Sequence, residues 1–413
     1  MSVPKLRFKE FDGDWSNKKI GNIASKVGSG STPRGGAEAY TDHGIIFIRS
    51  QNVNNDQLLL DDVAYIPEET HVKMSGSKVI ANDILLNITG ASIGRSCVVP
   101  HDFTEANVNQ HVCIIRTPND DPIFVQSFLS SENGQNAIQS KQAGGGREGL
   151  NFQAIRSIDF HFPPSKEEQA KIASFLSNVD EKISQLNQKH ELLSQYKQGM
   201  MQKLFSQHIR FKADDGSEFA KWEDSKLGEL TILITKGTTP SSLGEKYEES
   251  GINFIKIESL SSNGKFLLDK FAYIDENTHN KLARSKLEHD DILFSIAGAL
   301  GRVAIISRDY LPANTNQALA IIRLKDKKIT RYIYYFLNSD YVKKIIDSES
   351  VQLAQANFSL GQLANLDVLV PCLEEQTKIA NFLSAIDQKI EVVAQQIEQA
   401  KTWKKGLLQQ MFV

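Results

Sequence analysis

No run of apolar residues in this chain approaches the length needed to span a membrane. Its start, MSVPKLRFKEF, lacks the apolar stretch of a secretory signal. Both absences make the cytoplasm the expected location and a membrane an unexpected partner. Cysteine is scarce: Cys97, Cys113 and Cys372 are an odd number, and none lies in a C-x-x-C spacing. No disulfide framework or zinc ligand set follows from them, and small buried apolar residues are the reading. An excess of charge is missing too. Against 47 basic residues stand 50 acidic ones, for a net charge of −3. A self-sufficient nucleic-acid binder is usually basic. Any contact with DNA must therefore use a locally basic surface, or share the phosphates with a partner.

Catalytic signatures are absent as well. There is no H-E-x-x-H, no G-x-S-x-G and no G-x-x-x-x-G-K-[ST]. No G-x-G-x-x-G follows a strand and opens a helix. The Asn/Asp-Pro-Pro-aromatic motif of amino-methyltransferases is missing, as is a nuclease cluster of carboxylates and lysine. His71, His101 and His111 are scattered and read as surface or satisfied core residues. The sequence thus nominates no catalytic residue and no metal ligand.

What is present is a duplication. Trp15 pairs with Trp222, and 222 − 15 = 207. At the same offset Gly21 pairs with Gly228, Thr32-Pro33 with Thr239-Pro240, and Gly44-Ile45 with Gly251-Ile252. NDILLNITGASIGR, ending at Arg95, returns one residue shorter as DDILFSIAGALGR, ending at Arg302. Asn107, Asn109, Gln110 and Arg116 recur as Asn314, Asn316, Gln317 and Arg323, and Asn151-Phe152 matches Asn357-Phe358. QAKIASFLSNVDEKI from Gln169 answers QTKIANFLSAIDQKI from Gln376, identical at ten of fifteen positions. Chance does not hold one register over such a length. The segments after each domain agree closely, while the domains share only scattered landmarks.

The conserved segments read as helices. Ile172, Leu176, Val179, Ile183, Leu186 and Leu193 step by fours and threes, with His190 at the missing seam position. The second copy runs Ile379, Leu383, Ile386, Ile390, Val393 and Ile397. This is a heptad seam. Each helix follows a proline stop, at Pro163-Pro164 and Pro371, and Ser165 to Glu168 form a capping box. About forty residues make a helix of roughly 60 Å. The simplest cover for each seam is the other helix, run antiparallel. The alternative cover is the helix's own domain. The expected fold is α+β: two mixed α/β domains separated by a long antiparallel two-helix coiled coil, with internal pseudo-two-fold symmetry. The boundaries fall at 1–163, 164–208, 209–370 and 371–413.

Each domain reads as short strands, turns and a few helices. Residues 45–50 and 252–257 look like buried strands, residues 122–142 and 329–347 look helical, and Gly-rich loops fill 28–40 and 142–151. The pattern Pro-x-x-Glu-Glu-Gln-x-Lys-Ile-Ala-x-Phe-Leu-Ser at Pro164–Ser177 and Pro371–Ser384, with Arg7-Phe8 before Trp15 and Arg210-Phe211 before Trp222, resembles the specificity subunit of type I restriction–modification systems. The resemblance spans essentially the whole chain. It implies two target-recognition domains, each reading one half of an asymmetric bipartite target in double-stranded DNA. Two methyltransferase subunits would dock on the helices and methylate adenine. Translocating restriction subunits would join them. The chain would be non-catalytic and bind no cofactor, with S-adenosylmethionine, ATP and magnesium held by the partner subunits.

On that reading, polar side chains on strand-end loops are the candidate DNA contacts. In the first domain they are Arg34, Gln51, Asn52, Arg95 and Arg147. In the second they are Lys236, Lys256, Ser259, Arg302 and Gln355. Recurrence of Gly-Arg at 94–95 and 301–302 favours a scaffold or phosphate role for that pair. Positions that differ between copies, such as Arg147 against Gln355, are the better candidates for base choice. A self-contained nuclease or methyltransferase would need motifs that are absent. The remaining alternative is a coiled-coil scaffold with two protein-binding domains and no DNA specificity.

Overall fold

The apolar runs at 45–48 and 84–87, and their counterparts at 252–255 and 292–295, all become strands. In a computed structural model, which describes residues 3–142, 149–352 and 357–412, the chain divides into two units. One is Met1–Gln188 with Ala394–Val413, and the other is Lys189–Val393.

In the first unit an antiparallel sheet runs in the order Lys26–Ser29, Val112–Arg116, Ile84–Asn87, Ser96–Val98. A second, mixed sheet runs Ala64–Ile66, Ile45–Ile48, Ala106–Val108, Lys78–Val79, with Ile45–Ile48 parallel to Ala106–Val108. All four residues of Ile84–Asn87 are buried because both faces of that strand are covered. Ile84 and Leu86 join a core with Phe124 and Phe128 of the helix Pro122–Ser130, while Leu85 faces a core with Ile48 and Val108 of the other sheet. That helix starts cleanly: Pro122 fits its first turn, and the Asp121 carboxylate accepts from the amides of Ile123 and Phe124. A two-stranded ribbon, Ser16–Lys19 with Asp159–Phe162, closes the domain just before its long helix.

The second unit repeats the plan. Its antiparallel sheet runs Thr231–Lys236, Leu319–Leu324, Ile292–Ser295, Val303–Ile305, beside a three-stranded sheet of Ala272–Ile274, Ile252–Ile255 and Ala313–Thr315. The closing ribbon is Glu223–Lys226 with Asp367–Val370. Gly44 and Gly251 explain their recurrence: φ is +135° and +138°, and a Cβ would sit 2.7 and 2.6 Å from the carbonyl oxygens of Ile66 and Ile274.

Hydrogen bonds correct one pairing. Leu150 donates to Ile88, and Phe358 donates to Ile296. Gly149 therefore corresponds to Asn357, and Asn151 to Ser359. Both of the latter cap short helices, at Phe152–Arg156 and Leu360–Ala364. Matching Asn151-Phe152 with Asn357-Phe358 by identity was two residues out of step.

The two long helices are Lys166–Phe205 and Leu373–Met411. In the first unit, Ile172, Leu176 and Val179 share a core with Trp15 and Phe124 of the domain, with Leu407 and Met411 of the second helix, and with Phe412 just past its end. In the second unit, Ile379, Leu383 and Ile386 share one with Trp222 and Tyr332 and with Met201 and Leu204 of the first helix. The seam is thus covered by its own domain and by the other helix together. Further along, Ile183, Leu193 and Ile390 are only half-buried. The capping box is half formed. Ser165 accepts from the Glu168 amide, but the Glu168 carboxylate turns away to Arg7 and Trp15.

Candidate nucleic-acid interface

The polar residues that recur form the frame of each domain. Glu168, with a side chain 1% exposed, accepts from Arg7 at 2.6 and 2.7 Å and from the Trp15 indole at 3.2 Å. Glu375 does the same with Arg210 and Trp222. Both arginines are raised above their ordinary value, chiefly by the hydrogen bond to the glutamate. Each set ties the entry of a domain to the first turn of its long helix. Arg116 pairs with buried Asp83, and Arg323 with buried Asp291. The Asn107 amide donates to Met74 and Ser77 and its oxygen meets His71; Asn314 does so with Leu282, Ser285 and His279.

Helix-borne ion pairs recur too. Lys404 bridges Asp180 at 2.6 Å and Asp56 at 2.8 Å in the first unit, and Lys197 meets Asp387 at 2.6 Å in the second. Burial works against the Lys404 ammonium, but the two carboxylates outweigh it and raise its pKa.

Against this frame the ten candidate contacts sort into groups. Arg34, Arg95 and Lys236 are exposed, and so is Gln51, whose amide donates to Asp62. Lys256 is half-buried, its ammonium 5.5 Å from the centre of the Tyr247 ring. Asn52 and Ser259 are corrections. Asn52 is 2% exposed; its amide donates to the Leu59 and Asp62 carbonyls and its oxygen accepts from the Arg49 amide. Ser259 is fully buried, donating to Lys270 and accepting from the Lys256 amide. They are equivalent turn-holders, with no polar atom to offer a base. Arg302 is tied to the carbonyls of Ile257 and Leu260, which makes it a scaffold residue, while its counterpart Arg95 stays exposed. Arg147 and Gln355 lie outside the described residues.

One cluster went unnoticed in the sequence. Thr32 donates to Gln110 at 2.6 Å, the Gln110 amide lies 3.1 Å from His111 Nε2, and His111 Nδ1 lies 2.6 Å from the Thr89 hydroxyl. Gln110 and Thr32 are exposed, and His111 and Thr89 half-buried. Thr239 reaches Gln317 in the same way in the second domain. The pairing of Thr-Pro with a later Gln in both copies was the available signal. Cys97 and Cys113 are buried, and burial pushes the Cys113 thiol up to about 12, whereas Cys372 is exposed and departs from the expected buried position. Among the described residues no group of His, Cys, Asp or Glu could hold a metal, and no helix is long and apolar enough to cross a membrane.

Comparison with known proteins follows this repeat. The family described as type I restriction modification DNA specificity domain matches residues 12–195 and again 220–402. The type I restriction enzyme MjaVIII specificity subunit of Methanocaldococcus jannaschii is 27% identical over 352 residues, covering 82% of this chain and 80% of its own. The EcoBI specificity subunit of Escherichia coli is 22% identical, covering 74% and 67%. Among solved structures, the S subunit from M. genitalium superposes with a TM-score of 0.61 at 17% identity, over 100% of this chain and 99% of its own. Two matches placed in tandem, on two units built to one plan, settle the assignment: the chain belongs to the type I restriction–modification specificity subunits.

Proposed function

We propose that this chain is the non-catalytic sequence reader of a type I restriction–modification complex. Each domain reads one half of an asymmetric bipartite site in double-stranded DNA. The two long helices run antiparallel as a coiled coil that sets the spacer and docks two methyltransferase subunits, which methylate adenine. The methyl donor, ATP and magnesium reside on those subunits and on the restriction subunits. The target-recognition domains occupy 1–163 and 209–370, and the helices 164–208 and 371–413.

The observation that carries this reading is the tandem match to a DNA specificity domain, on two frames alike inside and different at their loops. The near-balanced charge fits a reader whose partners supply part of the phosphate contact. The heptad steps that both helices keep, broken in the first only at His190, fit a rigid spacer, since half-sites about one turn apart present one DNA face. The test is to express the chain with its methyltransferase subunit and map methylated adenines genome-wide. A bipartite motif that disappears when this chain is deleted is the expected result. Methylation without such a motif, or independent of the chain, contradicts the proposal.

A further inference from the structure

In both domains three backbone segments meet at the same place. Ile88 donates to the His111 carbonyl at 3.0 Å and accepts from Leu150 at 2.9 Å. Ile296 donates to Ala318 and accepts from Phe358, each at 2.9 Å. Bridges extend this order to Thr89 with Gly149 and to Ala297 with Asn357. The loop that follows the first sheet strand crosses the site at Gly30 and Gly237. A Cβ there would lie 1.7 Å from the Val108 oxygen and 2.0 Å from that of Thr315, so only glycine permits the approach. The loop is then pinned by Thr32 on Gln110 and by Thr239 on Gln317. Backbone, glycine and the Thr–Gln tether are common property.

The side chains mounted on that frame are not. The positions held by Thr89, His111 and Gly149 in the first domain are held by Ala297, Ala318 and Asn357 in the second. In the first domain the hydrogen-bond chain has a direction. Thr32 donates to Gln110 Oε1, so the Gln110 amide donates to His111 Nε2. His111 then carries its proton on Nδ1 and donates it to Thr89. The Thr89 hydroxyl hydrogen is left to point elsewhere. Gln110 retains one N–H and one lone pair, the donor–acceptor pair that matches adenine N7 and N6 in the major groove. In the second domain the chain stops at Gln317, whose neighbours offer two methyl groups and an exposed amide, Asn357. Methyl groups suit the thymine C5-methyl.

We propose that this strand-end face selects the bases of each half-site: Gln110 and Thr89 by hydrogen bonds in the first domain, held in place by His111, and Gln317, Ala297, Ala318 and Asn357 by mixed apolar and amide contacts in the second. The inference rests on the DNA-reading function proposed above, and it names the reading surface. His111 is a positioning residue, since its ring orients the Gln110 and Thr89 groups that meet the base.

The test compares complexes with the methyltransferase subunit, carrying wild-type chain, the pair Thr89→Ala and His111→Ala, or the reverse pair Ala297→Thr and Ala318→His. Methylation is scored on a library of duplexes randomised one position at a time. The first pair should change base preference by about tenfold at one or two positions of one half-site, leaving the other half-site and the spacer as before. The reverse pair should move the other half-site alone, and it provides a second route if the first pair is poorly folded. Unaltered base preference in both variants overturns the proposal, as does a uniform loss over all sequences in variants whose melting matches wild type. Failure of the wild-type complex to show any bipartite preference would instead remove the DNA-reading function itself.

Discussion

Asn107 in the first domain and Asn314 in the second make the same hydrogen bonds to a histidine, a serine and a helix-end carbonyl. His111 and Ala318 stand equally far beyond those asparagines in their two domains and share only their backbone bonds. The contrast is one of burial. A buried polar group must keep its partner or lose the full cost of its desolvation, so both copies retain it. A half-exposed group at a strand end can exchange one partner for water or for a ligand. Duplication followed by divergence therefore preserves the frame and frees the face.

Breaking the frame should give the largest effects, and equal ones in both units. Glu168→Ala leaves Arg7 and the Trp15 indole without their shared acceptor, and Glu375→Ala does the same to Arg210 and Trp222. Each should cost about 3 kcal/mol or more in urea unfolding, as for a broken buried ion pair. A marked inequality between them would show that the frames are not equivalent. Asn107→Ala and Asn314→Ala should each cost roughly 2 kcal/mol by leaving buried groups unsatisfied.

The helix pairs should separate the copies. Lys404 serves two carboxylates and Lys197 one, so Lys404→Met should destabilise by about 2 kcal/mol and Lys197→Met by about half as much. The Lys404 pKa is raised on folding, so its contribution is complete below the ordinary lysine value of 10.5 and is lost as pH rises through the raised value. The gap between wild type and Lys404→Met, read from urea midpoints, should therefore stay constant at neutral pH and close only in strong alkali. The smallest change in stability belongs to exposed Arg34. Arg34→Ala should leave melting unaltered, weaken binding of all DNA sequences alike, and reduce the salt slope by about 0.9, the loss of one phosphate contact.

The sequence carried the repeat, the two long helices and the principal strands, because those depend on periodicity and local spacing. It did not carry the partners of Glu168. A glutamate in the third position of a capping box looks local, yet its carboxylate closes a contact with Arg7, 161 residues away. Asn52 and Ser259 looked like loop readers because Asn and Ser favour exposed turns; here they hold a turn from inside. The pairing of Asn151 slipped because an identical Asn-Phe lay two residues from the true counterpart, and only the ladder bonds of Leu150 and Phe358 reveal the register. His111 looked isolated because one partner, Thr89, comes from another strand end 22 residues away, and the other, Gln110, is its own chain neighbour.

The central claim is that two like frames carry two different reading faces, one for each half of the target. It is tested most directly by replacing residues 209–370 with a second copy of 1–163 and mapping methylated adenines in cells that express this chain with its methyltransferase subunit. The account predicts a target whose two halves have become the same sequence, at an unchanged spacing. Retention of the original asymmetric target would contradict it.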